Sequence, residues 1–240
     1  MKRRGLFVTF EGIEGSGKST QLRLLGAWLR KHDISCVVTR EPGGTRAGDA
    51  IRTIFLGPSG HGLDPWAELF LVEAARAQHL EEVVRPALAA GRVVLCDRFT
   101  DSTLAYQGSG RGLPQPVIRR LHRLPALRPA PDLTLFFDLP VCEGLDRARG
   151  RNASAHRARK GRVSATRLDD ESAAFHTRVR RGFLALARRE PRRFVTIPAG
   201  GTPAQVAHAV REAFVTRLPG DRAGERSGQR SGHLSSRGRR

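Results

Sequence analysis

Residues 10–20 read FEGIEGSGKST, and their spacing decides the fold. A glycine, four intervening residues and then Gly-Lys-Ser describe a loop built around phosphate. Glycines let the backbone curl so that successive N–H groups point inward and form a concave anion site. Lys18 adds a point charge for the outer phosphates, and Ser19 offers a hydroxyl to Mg²⁺. The nest opens a helix, where the backbone dipole also favours anions. Its flanks supply the context that makes the pattern specific. GLFVTF (5–10) is a short apolar run of the buried-strand kind. STQLRLLGAWLRKH (19–32) places Leu22, Leu25 and Leu29 at helical spacing with basic residues between them.

The chain has 240 residues, 39% of them hydrophobic and 27% charged, which suits one globular body with ample core. No run approaches the ~18–20 apolar residues of a membrane span, so no membrane partner is expected. The start, MKRRGLFVTF, resembles a secretory leader, but its apolar stretch runs straight into the phosphate loop, so a cytoplasmic location is expected. Cys36, Cys96 and Cys142 lack paired spacing and read as small core residues of a reducing compartment.

Net charge is +19. Such a balance attracts polyanions: nucleic acid, membrane surface or phosphorylated substrates. It is unevenly spread. Residues 147–168 carry eight basic side chains (Arg147, Arg149, Arg151, Arg157, Arg159, Lys160, Arg162, Arg167) and no acid. Residues 219–240 are Gly/Ser/Arg-rich without hydrophobic periodicity and are expected to be a disordered basic tail. A solvated tail without function is its plainer reading; weak non-specific nucleic-acid binding is the other.

Elements alternate along residues 1–218. Strands are expected at 6–10, 34–39, 92–97, 132–139 and 193–199. Helices are expected at 19–32, 46–56, 65–91 with a kink at Pro86, 100–106, 114–124, 141–149, 169–189 and 203–217. Residues 150–168 form a loop in this scheme. Apolar strands alternating with helices imply an α/β fold whose central five-stranded parallel sheet is covered on both faces. Ligands of such sheets bind beyond the strand C-terminal ends, where the phosphate loop, Asp97 and Asp138 fall.

A phosphate loop alone fits GTPases, motor ATPases and small-molecule kinases. Three blocks narrow the choice: TREPGGT (39–45), an irregular turn carrying Arg40 and Glu41; CDRFTDSTLAYQGSGRG (96–112), which packs Asp97, Arg98 and several hydroxyls together; and the basic stretch 147–168, placed like a lid that closes on phosphates. With FEGIEGSGKSTQ, GDAIR, AELFLVEAARAQHL, PDLTLFFDL and RLDDESAAFHTRVRRGFLALA, these blocks resemble the thymidylate kinase family, in the family's order, over about 6–197.

The resemblance implies a P-loop kinase three-layer fold with a lid segment, phosphorylation of dTMP to dTDP by ATP with Mg²⁺, and a homodimer. It implies that Gly12, Ile13, Glu14, Gly15, Ser16, Gly17, Lys18, Ser19 and Thr20 hold the ATP phosphates. Glu14 corresponds to the acid that approaches the nucleotide 3′-hydroxyl. Arg52 and Arg98 match arginines that hold the acceptor phosphate, and Arg76 the one that recognises a thymine carbonyl. Thr103 and Gln107 match base-contacting positions, and Tyr106 a tyrosine that crowds the sugar 2′ position. Asp97, with Ser19, is placed to hold Mg²⁺. Lys18, Arg98 and Glu14 form the candidate catalytic set.

The chemistry agrees. A phosphate acceptor has its second pKa near ~6, so it needs charge neutralisation and in-line alignment rather than a strong base. Arginine's planar fork suits that need. The sequence also departs from the family. Val72 stands where an aromatic commonly stacks on thymine, so aliphatic contact is expected there, while Phe70 faces elsewhere on the helix. The phosphate loop has no Arg, a pattern that in the family goes with a catalytic arginine from the lid; Arg149, Arg151, Arg157, Arg159 and Arg162 are the candidates. Two alternatives stand beside this reading. One is a related nucleoside-monophosphate kinase with relaxed base choice, suggested by Val72; the other is a nucleic-acid-binding P-loop NTPase, suggested by the charge.

Overall fold

The computed structural model describes residues 4–158, 167–169 and 171–217. Its centre is a five-stranded parallel sheet of β1 (Phe7–Glu11), β2 (Cys36–Arg40), β3 (Val93–Asp97), β4 (Leu133–Asp138) and β5 (Phe194–Pro198), in the order β2-β3-β1-β4-β5. β1 lies in the middle, with Phe7 opposite Val94 of β3 and Val8 opposite Leu133 of β4. All of its residues are buried, as continuous apolar runs demand when both faces are covered.

Between β1 and β2 runs α1 (Lys18–Lys31), followed after β2 by α2 (Arg46–Leu56), α3 (Pro65–His79) and α4 (Arg85–Ala89). Then come α5 (Thr100–Thr103), α6 (Gln115–Leu121), α7 (Val141–Ala158), α8 (Ala173–Arg189) and α9 (Pro203–Val215). One face of the sheet buries Leu22, Leu25, Leu29, Val210 and Phe214 from α1 and α9 against Val8, Phe10, Leu95, Leu135 and Phe137. The other holds Leu69, Ala105, Ile118, Phe175, Val179 and Phe183 with Phe136, whose ring stacks on Phe183 at 5.3 Å. Each large apolar side chain of this kind contributes about 1.5–3 kcal/mol by leaving water.

Several expectations need correction. Residues 65–89 form the long helical run expected, but not in one regular ladder: α3 ends at His79, a π-helical stretch covers Leu80–Val84, and α4 continues from Arg85. Pro86 has no N–H to give and would press on the carbonyl four residues back, so the ladder relaxes before it. The helix expected at 100–106 becomes α5 plus a wide π-type turn over Leu104–Gly110, which carries Tyr106 and Gln107. Residues 150–158 are helix rather than loop, because α7 continues to Ala158. Gly150 does not interrupt it: one interior glycine costs only about 1 kcal/mol, and the Ala/Arg sequence around it favours helix. Cys96 is buried and Cys36 half-buried, yet Cys142 is exposed, since it falls on the outer side of α7 rather than at the end of β4. The lid remainder at 159–166 and the tail at 219–240 lie outside the described residues.

Candidate active site

β1 delivers the phosphate loop to the sheet's C-terminal edge. The loop fits because its glycines lack Cβ: one on Gly12 would lie 2.6 Å from Phe137 O, and one on Gly15 2.0 Å from Gly144 O. Both carry positive φ, 145° and 72°. Lys18 Nζ donates to Ile13 O at 2.7 Å and to Ser16 Oγ at 3.3 Å. Burial, then the nearby Arg98, pulls the Lys18 ammonium down to about 8. Ser19 Oγ donates to Asp97 Oδ2 at 2.5 Å, joining the start of α1 to the end of β3.

This oxygen pair fits Mg²⁺, which binds through one or two carboxylates, substrate phosphates and water rather than an all-protein cage. Among the described residues no group of three or more His, Cys, Asp or Glu could hold a metal ion.

Arg98 follows β3 with φ 71°, a conformation uncommon outside glycine. Its guanidinium donates to Gly12 O (3.1 Å), Ser102 Oγ (3.2 Å) and Glu14 Oε1 (2.7 Å), and sits 4.8 Å from the Tyr106 ring centre. The Tyr106 hydroxyl donates to Glu14, 2.8 and 2.7 Å from its two oxygens. Burial alone would raise the Glu14 pKa; Arg98, His176 and Lys18 outweigh it and bring the carboxyl down to about 2. His176 Nδ1 lies 3.3 Å from Glu14 Oε2, too poorly aligned for a regular hydrogen bond. Behind Arg98, Glu11 accepts from Phe99 N (2.7 Å) and Ser102 Oγ (2.6 Å). Burial, then Asp101, pushes its carboxyl up to about 8 against Ser102, Arg98 and the Phe99 N–H.

Arg76 is buried, only 2% exposed, although an arginine on a helix is usually solvated. Its Nε donates to Glu41 Oε2 (2.7 Å), Nη1 to Glu73 Oε1 (2.6 Å) and Nη2 to Thr103 Oγ1 (3.0 Å). Its pKa is raised, the two glutamates overcoming burial. Gln107 Nε2 donates to Glu68 Oε2 at 3.3 Å. Arg52 Nη1 donates to Pro42 O at 3.0 Å, and burial and Arg40 lower its pKa.

One cavity of about 420 Å³ gathers Glu14, Gly15, Gly17, Lys18, Ser19, Thr20, Arg52, Val72, Arg76, Asp97, Arg98, Thr103, Tyr106 and Gln107. Gly12, Ile13 and Ser16 stand behind this wall: the first two supply carbonyls to Arg98 and Lys18, and Ser16 Oγ bonds Ile13 O. Val72 lines the cavity, and Phe70 is 58% exposed on the other side of α3, as its spacing predicts. Asp138, at the end of β4, is instead held by Arg180 at 2.7 and 3.0 Å and does not line the cavity. Among the lid candidates Arg149 is exposed and lies 3.7 Å from Asp146. The side chains of Arg151 and Arg157, and all of Arg159 and Arg162, lie outside the described residues.

Sequence reasoning left Phe55, Leu56, Leu168 and Asp169 unassigned in the cavity wall, and His79 behind it. One signal was present: Glu73, Arg76 and His79 recur at i+3 spacing, which places them on one helix face.

Strand, phosphate loop, helix and an arginine-lined acceptor cavity define a P-loop nucleoside-monophosphate kinase, a phosphotransferase whose acceptor is itself a phosphate. The family model "Thymidylate kinase" matches residues 10–210. The chain is 51% identical to a thymidylate kinase of Trichlorobacter lovleyi over 213 residues, 89% of this chain and 98% of that protein. It is 52% identical to one of Desulfovibrio desulfuricans over 213 residues, 89% and 96% of the two chains. A crystal structure of thymidylate kinase from Ehrlichia chaffeensis superposes with a TM-score of 0.68 at 32% identity, over 88% of this chain and 98% of that one. The chain belongs to the thymidylate kinase family.

Proposed function

We propose that the cavity binds dTMP with its base at Arg76 and its phosphate at Arg52 and Arg98, facing ATP on the phosphate loop. A dTMP phosphate oxygen attacks the γ-phosphorus of ATP, the bond from that phosphorus to the β–γ bridging oxygen breaks, and dTDP and ADP leave. Ser19 and Asp97 would hold Mg²⁺, which would supply charge neutralisation to the donor phosphates. Lys18, Arg52 and Arg98 hold and align phosphate oxygens, the contribution that matters most in phosphoryl transfer. Glu14, ionised and held by Arg98 and Tyr106, accepts from the 3′-hydroxyl. Tyr106, fixed by Glu14, crowds the sugar 2′ position. Val72, with Phe55 and Leu168 nearby in the same wall, provides apolar contact where a stacked ring is absent. One observation carries the reading: Lys18, Arg52, Arg98 and Arg76 all open on one cavity.

The enzyme acts as a homodimer in this proposal, supported by apolar side chains left exposed on α2 and α3: Ile54, Trp66 and Phe70. The proposal places the enzyme in the cytoplasm; among the described residues no helix is long and apolar enough to cross a membrane. The test is ATP turnover with dTMP, dUMP, dGMP and single-stranded DNA as separate additions. Turnover led by dTMP is expected. Turnover driven by DNA and indifferent to dTMP would contradict the proposal.

A further inference from the structure

Arg76 does not stand alone behind the base site. Its Nε bonds Glu41 Oε2; Glu41 Oε1 receives His79 Nδ1 at 2.9 Å; His79 Nε2 meets Thr39 Oγ1 at 2.7 Å. Glu41 is an acceptor on both oxygens, so the Nδ1 of His79 must carry a proton. His79 is wholly buried and Glu41 is 3% exposed. The following turn wraps the imidazole: a Cβ on Gly44 would lie 2.9 Å from His79 Cδ2 and 2.7 Å from Thr39 Oγ1. The residue after Glu41, Pro42, gives its carbonyl to Arg52. Neighbouring residues of one turn therefore hold the base arginine and the acceptor-phosphate arginine.

The donors of Arg76 are largely spoken for. Glu41 takes Nε, Glu73 takes Nη1, and Thr103 takes one proton of Nη2. His122 Nε2 sits 3.4 Å from Nη1 and 2.9 Å from Glu73 Oε1, closing that side. What the guanidinium can still offer is N–H donation from a fixed plane. Such a group accommodates a carbonyl and rejects an amino group in the same place, since two donors would face each other in a dry site. In pyrimidines that contrast is the 4-position: oxo in thymine and uracil, amino in cytosine.

We propose that Glu41 and His79 are positioning residues which fix Arg76 as a one-sided donor, making the site select 4-oxo over 4-amino pyrimidines. This deepens the base-site assignment made above and rests on it.

The test is kcat and KM for dTMP and dCMP, with KM for ATP and Tm, in the full-length enzyme and in Glu41→Gln, Glu41→Ala, Thr39→Val and Arg76→Ala. The Glu41→Gln change keeps the size and one acceptor oxygen, so it should retain more selectivity than Glu41→Ala. In Glu41→Gln the KM for dTMP should rise about tenfold and the dTMP:dCMP ratio of kcat/KM fall about tenfold or more, with KM for ATP within about twofold. Thr39→Val, at the far end of the chain of contacts, should move the ratio the same way by less; if the Glu41→Ala variant does not fold, Glu41→Gln and Thr39→Val carry the test. Equal losses for both nucleotides, or no loss, would overturn the positioning role. Should Arg76→Ala lower the ratio while Glu41→Gln does not, only this role fails. If Arg76→Ala also leaves the ratio unchanged, the base-site reading itself fails.

Discussion

The two ends of the cavity hold their cations differently. At the proposed base end Arg76 is enclosed by Glu41 and Glu73, and its pKa is raised. At the proposed phosphate end Arg98 is also paired, with Glu14, and its pKa is raised, whereas Lys18 and Arg52 crowd other cations, and burial with that crowding pulls both of their pKa values down. The first arrangement is finished before a nucleotide arrives. The second leaves Lys18 and Arg52 with positive charge that polyphosphate would complete in the proposed site. A neutral base offers little charge, so selecting it needs a donor of fixed direction; phosphate offers charge in excess, so binding it needs unspent cations.

The sharpest way to break this contrast is Lys18→Ala. Its ammonium bonds a loop carbonyl and a hydroxyl, both neutral, so the fold should survive while turnover falls about 10³-fold or more. Steady-state kinetics with a melting curve checks this; near-normal turnover in a folded variant would remove Lys18 from the chemistry. Arg76→Ala should behave differently. It strands two buried carboxylates, and breaking a buried pair typically costs about 3–5 kcal/mol. Chemical denaturation should therefore show a large stability loss for Arg76→Ala and little for Lys18→Ala; equal losses would erase the distinction between the two ends.

Much of this was legible in the chain. The strand–loop–helix order around residues 10–20 and the apolar strands required the parallel sheet, and the spacing of α3 separated Val72 from Phe70. What was hidden shares a cause: contacts between residues distant in sequence. Glu41 and His79 are 38 positions apart and Glu68 and Arg167 are 99 apart, so no local pattern announces them. The correction at 150–158 is of another kind: a basic run placed like a lid reads as loop, yet α7 continues through it because its Ala and Arg residues favour helix.

A smaller effect concerns Glu11, which supports Arg98 through Ser102. Its folded pKa of about 8 lies above the ordinary 4.5, so the folded state binds more protons between those values. Stability from this group is complete below about 4.5 and is lost as pH rises through 8. Melting temperature should fall across that window, and Glu11→Gln should flatten the fall; an unchanged pH profile in Glu11→Gln would refute it. The smallest effect is expected at Val72. Aromatic pairing adds about 0.5–1.5 kcal/mol beyond area burial, so Val72→Phe should lower KM for dTMP by at most roughly tenfold. A raised KM would show that Phe55, Leu56 and Leu168 leave no room for the ring.

The most direct measurement is the dTMP:dCMP ratio of kcat/KM in the unaltered enzyme and in Arg76→Ala. A site built on a fixed donor should favour dTMP by about 10³-fold or more, and loss of Arg76 should shrink that preference to within about tenfold. A ratio that is unchanged in Arg76→Ala would contradict the account, because base selection would then reside outside the buried Glu41–Arg76–Glu73 cluster.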